Sequence, residues 1–107
     1  MSKFTLNDLE KRIQERGKAS AEESYTRQLL DKGIAHCAKK FGEEAVETAL
    51  AAVSEDRERL IAETADLLYH LLVLLQARGV TLAEVEAVLG ARTAKSGLEE
   101  KASRSRK

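Results

Sequence analysis

The run Leu67-Leu68-Tyr69-His70-Leu71-Leu72-Val73-Leu74-Leu75 limits the possible folds more than any other stretch of this chain. It is apolar nearly all round, whereas a helix at a protein surface keeps one polar face, so a helix built from it must be central. Taken alone the run is far too short to cross a bilayer, which needs about 20 apolar residues. The residues around it are helix formers: Ala, Leu, Glu, Lys and Arg dominate, proline is absent, and there are only two Phe and two Tyr. That composition favours helices and disfavours a β-sandwich or barrel, so the expected class is all-α. With 107 residues the chain supports one compact domain. So small a chain covers a central apolar helix incompletely. A homo-oligomer is therefore expected, most simply a homodimer whose subunits share a helical core.

The predicted elements are four helices arranged as a bundle. Thr5 caps a first helix carrying Leu6, Leu9 and Ile13, which Gly17 permits to end. Residues 18–23 are polar and read as a loop. A long second helix is predicted from Tyr25 to Val53, with Gly33 and Gly42 as weak points costing about 1 kcal/mol each against Ala, so that a break or a close backbone approach at either glycine stays open. Ser54 is the candidate cap of a third helix that ends near Arg78, with Gly79 placed for a left-handed terminus. Thr81 and Glu84 have the spacing of a capping box and open a fourth helix through Arg92. The domain is thus expected over residues 1–93, followed by a basic, mobile tail over 94–107.

Lys plus Arg and Asp plus Glu balance at 18 each, so net charge points to neither nucleic acid nor an anionic membrane. Cys37 is the one cysteine and the N-terminus has no apolar signal-peptide core. Both suit a soluble protein of the cytoplasm.

Electrostatics is informative only locally. Glu43, Glu44 and Glu47 lie three and four residues apart on one helical face, and Glu63, Asp66 and His70 do so on the next helix. Antiparallel neighbours bring the two groups face to face. Acidic pairs at this spacing are ordinarily solvated and balanced by basic residues one turn away, as Lys39 and Lys40 can do for Glu43 and Glu44, and Arg59 for Glu63. Glu47 and Asp66 have no Lys or Arg at three or four residues in either direction. Two carboxylates about 4 Å apart repel by about 4 kcal/mol at the effective dielectric of a protein surface, so four or five on one site require a cation. An all-oxygen donor set suits Mg²⁺, with Mn²⁺ as the other candidate, rather than zinc. Glu-x-x-His pairs of the di-iron type are absent, since Gly33 and Leu67 stand three residues before His36 and His70.

The pattern Glu44-x-x-Glu47 followed by Glu63-x-x-Asp66 resembles the metal signature of the all-α nucleoside triphosphate pyrophosphohydrolase superfamily. Around it stand Ser24-Tyr25-Thr26-x-x-Leu29-Leu30-x-x-Gly33, Lys40-x-Gly42-Glu43-Glu44-Ala45-Val46-Glu47, the apolar run after Asp66, and Arg92-x-x-x-Ser96-Gly97. Together these blocks resemble the phosphoribosyl-ATP pyrophosphatase family of histidine biosynthesis. The resemblance implies Mg²⁺-dependent hydrolysis of the α–β phosphoanhydride of phosphoribosyl-ATP, in the cytoplasm. It further implies Glu44, Glu47, Glu63 and Asp66 as metal ligands, with Glu43, Glu44 and Glu47 as the catalytic carboxylates, Glu43 as a further ligand or the group that orients the attacking water. Ser24, Tyr25, Thr26, Lys40, His70, Lys95 and Ser96 are the implied substrate contacts. Read without the resemblance, Ser24 is a helix cap, Lys40 ordinary surface charge and His70 a satisfied core histidine. Two other functions compete: a housecleaning enzyme for another nucleoside triphosphate, and a non-enzymatic helical dimer with a structural metal.

Overall fold

A computed structural model describes residues 3–94 together with 97, 101, 102 and 104. Among the described residues there are five helices and no strand: α1 (Leu6–Arg16), α2 (Tyr25–Asp31), α3 (Ile34–Ser54), α4 (Arg57–Ala77) and α5 (Leu82–Thr93). The all-α expectation holds, while the predicted four-helix count is corrected to five. The predicted helix from Tyr25 to Val53 is broken at Gly33, which takes φ +95°, a conformation nearly closed to residues with a Cβ. α2 therefore ends and α3 starts in a new direction.

The start of α4 is a second correction. Ser54 is the last residue of α3 and its hydroxyl donates back to the Leu50 carbonyl (3.0 Å). Asp56 caps α4 instead, accepting from the Arg59 N–H at 2.8 Å. An ionised carboxylate at a helix N-terminus gains from both the free N–H groups and the macrodipole, an advantage a hydroxyl lacks. Thr5 caps α1 as expected, and Asp8 completes a capping box with it; Thr81 and Glu84 form the expected capping box, and Gly79 is left-handed at φ +70°.

α4 is central, packing against α1, α2 and α3. By length and composition it is apolar enough to cross a membrane, but it also carries Glu63, Asp66 and His70. The buried core gathers around its C-terminal half, where Leu72 and Val73 meet Ile13, Leu29, Cys37 and Leu82. Cys37 is one of these packing residues, and its thiol donates to the Leu29 carbonyl. The start of α5 is tied to α1 by Glu10, whose carboxylate accepts from the Leu82 N–H at 2.7 Å. Further from this core, the α3–α4 pair shows an uncovered apolar strip: Val46, Leu50, Val53 and Ile61 are 59%, 56%, 86% and 56% exposed.

Candidate metal centre

Only Glu55 and Asp56 separate α3 from α4, so the two helices run antiparallel side by side. Their register is fixed at one point by Thr48. Its hydroxyl lies 2.8 Å from the Glu44 carbonyl in its own helix and 3.1 Å from the Glu63 carbonyl across the pair. In an antiparallel pair a residue before Thr48 then faces one after Glu63. Glu44 accordingly meets Asp66, and carboxylate oxygens of Glu44, Glu63 and Asp66 all lie within 4.8 Å of one another.

The three differ in setting. Glu63 is buried (6% exposed), Glu44 half-buried and Asp66 exposed. Burial, followed by the charge of Glu47 and then Asp66 and Glu63, pushes the Glu44 carboxyl above its ordinary range. Burial also raises Glu63, with Glu47 second, against the opposing pull of Arg59 at 3.7 Å. Glu47 completes the group: its carboxyl is within hydrogen-bonding reach of both Glu44 and Glu63. While all are ionised no such bond exists, because carboxylates only accept. Consistently, the buried Glu44 Oε2 has no hydrogen-bond partner among the described residues. A shared proton or a bound cation is needed to satisfy it. All donors are carboxylate oxygens, the set that hard divalent cations take, so a Mg²⁺-like ion fits this cluster.

The remaining expected site residues divide. Glu43 stands outside the three-carboxylate cluster, paired with Lys40 at 3.4 Å on the exposed side of α3. Lys40, raised first by its bond to Glu43, also feels Tyr25 and Glu44. His70 is buried against the edges of Tyr25 and Tyr69, at ring separations of 6.3 and 5.1 Å. Burial lowers its pKa, Lys40 lowers it further, and Asp66 and Glu43 oppose them. The basic and acidic groups therefore surround one imidazole. Tyr25 is 52% exposed and stacks on Tyr69. Ser24 and Thr26 are both buried, with their hydroxyls turned inward: Ser24 caps α2 through the Arg27 N–H, and Thr26 Oγ1 bonds the Tyr69 hydroxyl at 2.6 Å. Lys95 and Ser96 lie outside the described residues.

Two residues escaped the sequence reading, Thr48 and His36. Thr48 looks like any mid-helix threonine, and only the helix pairing shows its second acceptor. His36 lines a cleft with Lys32 and Lys40 across the break at Gly33, and the one signal for it was its spacing of four residues from each lysine.

An antiparallel helix pair with an acidic cation cluster suits several chemistries; the comparisons with known proteins narrow them. The family model described as phosphoribosyl-ATP pyrophosphohydrolase matches residues 6–93, from α1 through α5. The chain is 68% identical to phosphoribosyl-ATP pyrophosphatase 1 of Bradyrhizobium diazoefficiens, over 97% of this chain and 98% of that one. It is 62% identical to phosphoribosyl-ATP pyrophosphatase 1 of Rhodopseudomonas palustris, over 99% of each. A protein from Nitrobacter winogradskyi named phosphoribosyl-ATP pyrophosphatase is 63% identical over 99% of this chain and 91% of its own length. The match runs through every helix that builds the carboxylate cluster, and on that ground the chain belongs to the phosphoribosyl-ATP pyrophosphohydrolase family.

Proposed function

We propose that this chain hydrolyses the α–β phosphoanhydride of phosphoribosyl-ATP to phosphoribosyl-AMP and pyrophosphate, a step of histidine biosynthesis, in the cytoplasm and with Mg²⁺. The observation that supports this most is the convergence of Glu44, Glu63 and Asp66 around a buried oxygen with no donor. Glu44, Glu47, Glu63 and Asp66 would hold the ion, and Mn²⁺ is the natural substitute. When bound, such an ion neutralises phosphate charge and activates water. The chain's own groups do the rest. The apolar packing around α4 fixes the carboxylates, so they need little reorganisation during the reaction. Water adds to one phosphorus of the anhydride and the bridging P–O bond breaks. The proton released by the water passes to a carboxylate on the exposed rim, Glu43 or Glu47. Lys40 meets the phosphate charge, while His70 and Tyr25 border the entrance to the cluster. The domain spans residues 1–93, and Lys95 and Ser96, outside the described residues, are further substrate contacts.

The test is pyrophosphate release from phosphoribosyl-ATP, compared with ATP, dUTP and other nucleoside triphosphates, with Mg²⁺ or with EDTA. Turnover at least about a hundredfold faster for phosphoribosyl-ATP, and lost with EDTA, is expected. Equal turnover of the other nucleotides would assign the chain to nucleotide housecleaning.

The working unit is a homodimer. Val46, Leu50 and Val53 repeat at four and three residues along α3 and leave an apolar strip facing water in one protomer, beside Ile61 of α4. The native particle is expected to sediment at twice the 11.8 kDa chain mass. Leu50→Lys is expected to yield monomers, because a lysine on this strip is desolvated without a partner. A wild-type monomer at micromolar concentration would remove the dimer.

A further inference from the structure

Between α2 and the first turns of α3 lies a cleft of about 190 Å³ lined by Tyr25, Gln28, Leu29, Lys32, His36 and Lys40. None of its linings is acidic, although the carboxylate cluster begins one helical turn further along α3. His36, Lys40, Glu43 and Glu47 follow one another at four, three and four residues and so share a face of α3. At 1.5 Å per residue, His36 stands about 12 Å and Lys40 about 6 Å from the level of Glu44. This face thus runs from the nitrogen groups of His36 and Lys40 to the carboxylates of Glu43 and Glu47. Lys32 joins from across the break at Gly33, whose left-handed turn lets a residue ending α2 border the same cleft as the first turn of α3.

Neither the Lys32 ammonium nor the His36 imidazole has a hydrogen-bond or ion-pair partner among the described residues. Lys40 is held only by Glu43 at 3.4 Å, a half-exposed pair of the i, i+3 type. Such pairs contribute little, so Lys40 turns readily toward a stronger anion. Three nitrogen donors therefore face one small space that opens beside the carboxylates.

We infer that this cleft is a second anion subsite, in which Lys32, His36 and Lys40 hold a phosphoryl group of the substrate remote from the bond being cleaved. The inference rests on the function proposed above and adds Lys32 and His36 to the substrate-binding residues. Two groups away from that bond have the required chemistry: the terminal γ-phosphate of the triphosphate, and the 5′-phosphate of the phosphoribosyl arm. A site that spans both the scissile anhydride and a remote phosphate also has a physical basis for preferring a long, doubly phosphorylated nucleotide to a short one. Each added phosphate contact removes anionic charge from water at a prepared position.

The experiment uses the full chain with Lys32→Ala and His36→Ala, and with Lys32→Arg as the conservative variant. KM for phosphoribosyl-ATP is expected to rise about tenfold in each alanine variant, with the loss falling on KM rather than kcat, and Lys32→Arg is expected to recover most of it. Calorimetric titration of each protein with inorganic pyrophosphate and with ribose 5-phosphate identifies the occupant without any turnover. About tenfold weaker pyrophosphate binding in Lys32→Ala assigns the terminal γ-phosphate. The same loss for ribose 5-phosphate assigns the phosphoribosyl arm. If KM and both affinities stay within twofold of wild type, the subsite is overturned. If the wild type releases no pyrophosphate from phosphoribosyl-ATP, the proposed function fails, and the two titrations still decide the cleft.

Discussion

Replacing Glu44 by Gln, or Asp66 by Asn, is expected to abolish metal-dependent pyrophosphate release, by three orders of magnitude or more, while the metal-free protein becomes no less stable. Both halves follow from the same geometry. Each substitution keeps the side chain's shape and removes one negative charge from a group whose oxygens lie within 4.8 Å of one another. Without a cation these charges repel, and burial has already raised Glu44 toward its neutral form. Removing its charge relieves at least about 1 kcal/mol of repulsion in the metal-free state, the value for two charges about 4 Å apart in bulk water. In a domain of this size that corresponds to a gain of about 4–8 °C in melting temperature. The same charge is what a hard cation needs, so the ion and the activity are lost together. Thermal melts in EDTA beside pyrophosphate-release assays measure both. A variant that retains full activity would move the metal to other residues. One that fails to fold in EDTA would make the carboxylates structural.

The sequence exposes this site because helical spacing is rigid. Glu44 and Glu47, and Glu63 and Asp66, had to share a face once each segment was helical, and the missing basic neighbours of Glu47 and Asp66 marked them as needing an outside partner. Capping signals at Thr5, Thr81 and Gly79 were legible for the same local reason. What stayed hidden depends on geometry between segments. The apolar period runs unbroken from Leu29 through Ile34 to Ala38, so although Gly33 and Gly42 both mark weak points, nothing local says which of them turns the chain. Ser54 and Asp56 are both good caps two residues apart, and only the actual end of α3 decides between them. Ser24 and Thr26 have hydroxyls that suit a ligand, yet the packing of α2 on α4 sends Thr26 to Tyr69 and leaves Tyr25 exposed. The strip formed by Val46, Leu50 and Val53 reads plainly as apolar. Periodicity cannot say whether the same molecule or a second one covers it.

Mg²⁺ is expected to raise the melting temperature more at pH 8 than at pH 5. The folded protein holds the Glu44 and Glu63 carboxyls above their ordinary value of 4.5. Between 4.5 and the raised values the metal-free folded state therefore binds more protons than the unfolded chain. By linkage its stability is highest at the acid end of that interval and falls as pH rises through it. His70 acts in the opposite sense. Burial holds its imidazole below its ordinary value of 6.5, so the folded state binds fewer protons there and stability falls as pH drops below 6.5. The metal changes the carboxylate contribution only: it requires the ionised ligands, so its binding releases protons and strengthens as they ionise. At a free concentration one hundred times Kd the ion contributes about 2.7 kcal/mol. That is about 10–20 °C in melting temperature for a domain of this length. As pH falls into the interval where Glu44 and Glu63 take up protons, the same total Mg²⁺ competes with those protons and the shift shrinks. The measurement is a set of thermal melts at pH 5, 6.5 and 8 with EDTA or Mg²⁺, run on wild type and Glu44→Gln. A Mg²⁺ shift that is equal at pH 5 and pH 8, or one that survives in Glu44→Gln, would show that the ion binds somewhere other than among these four carboxylates.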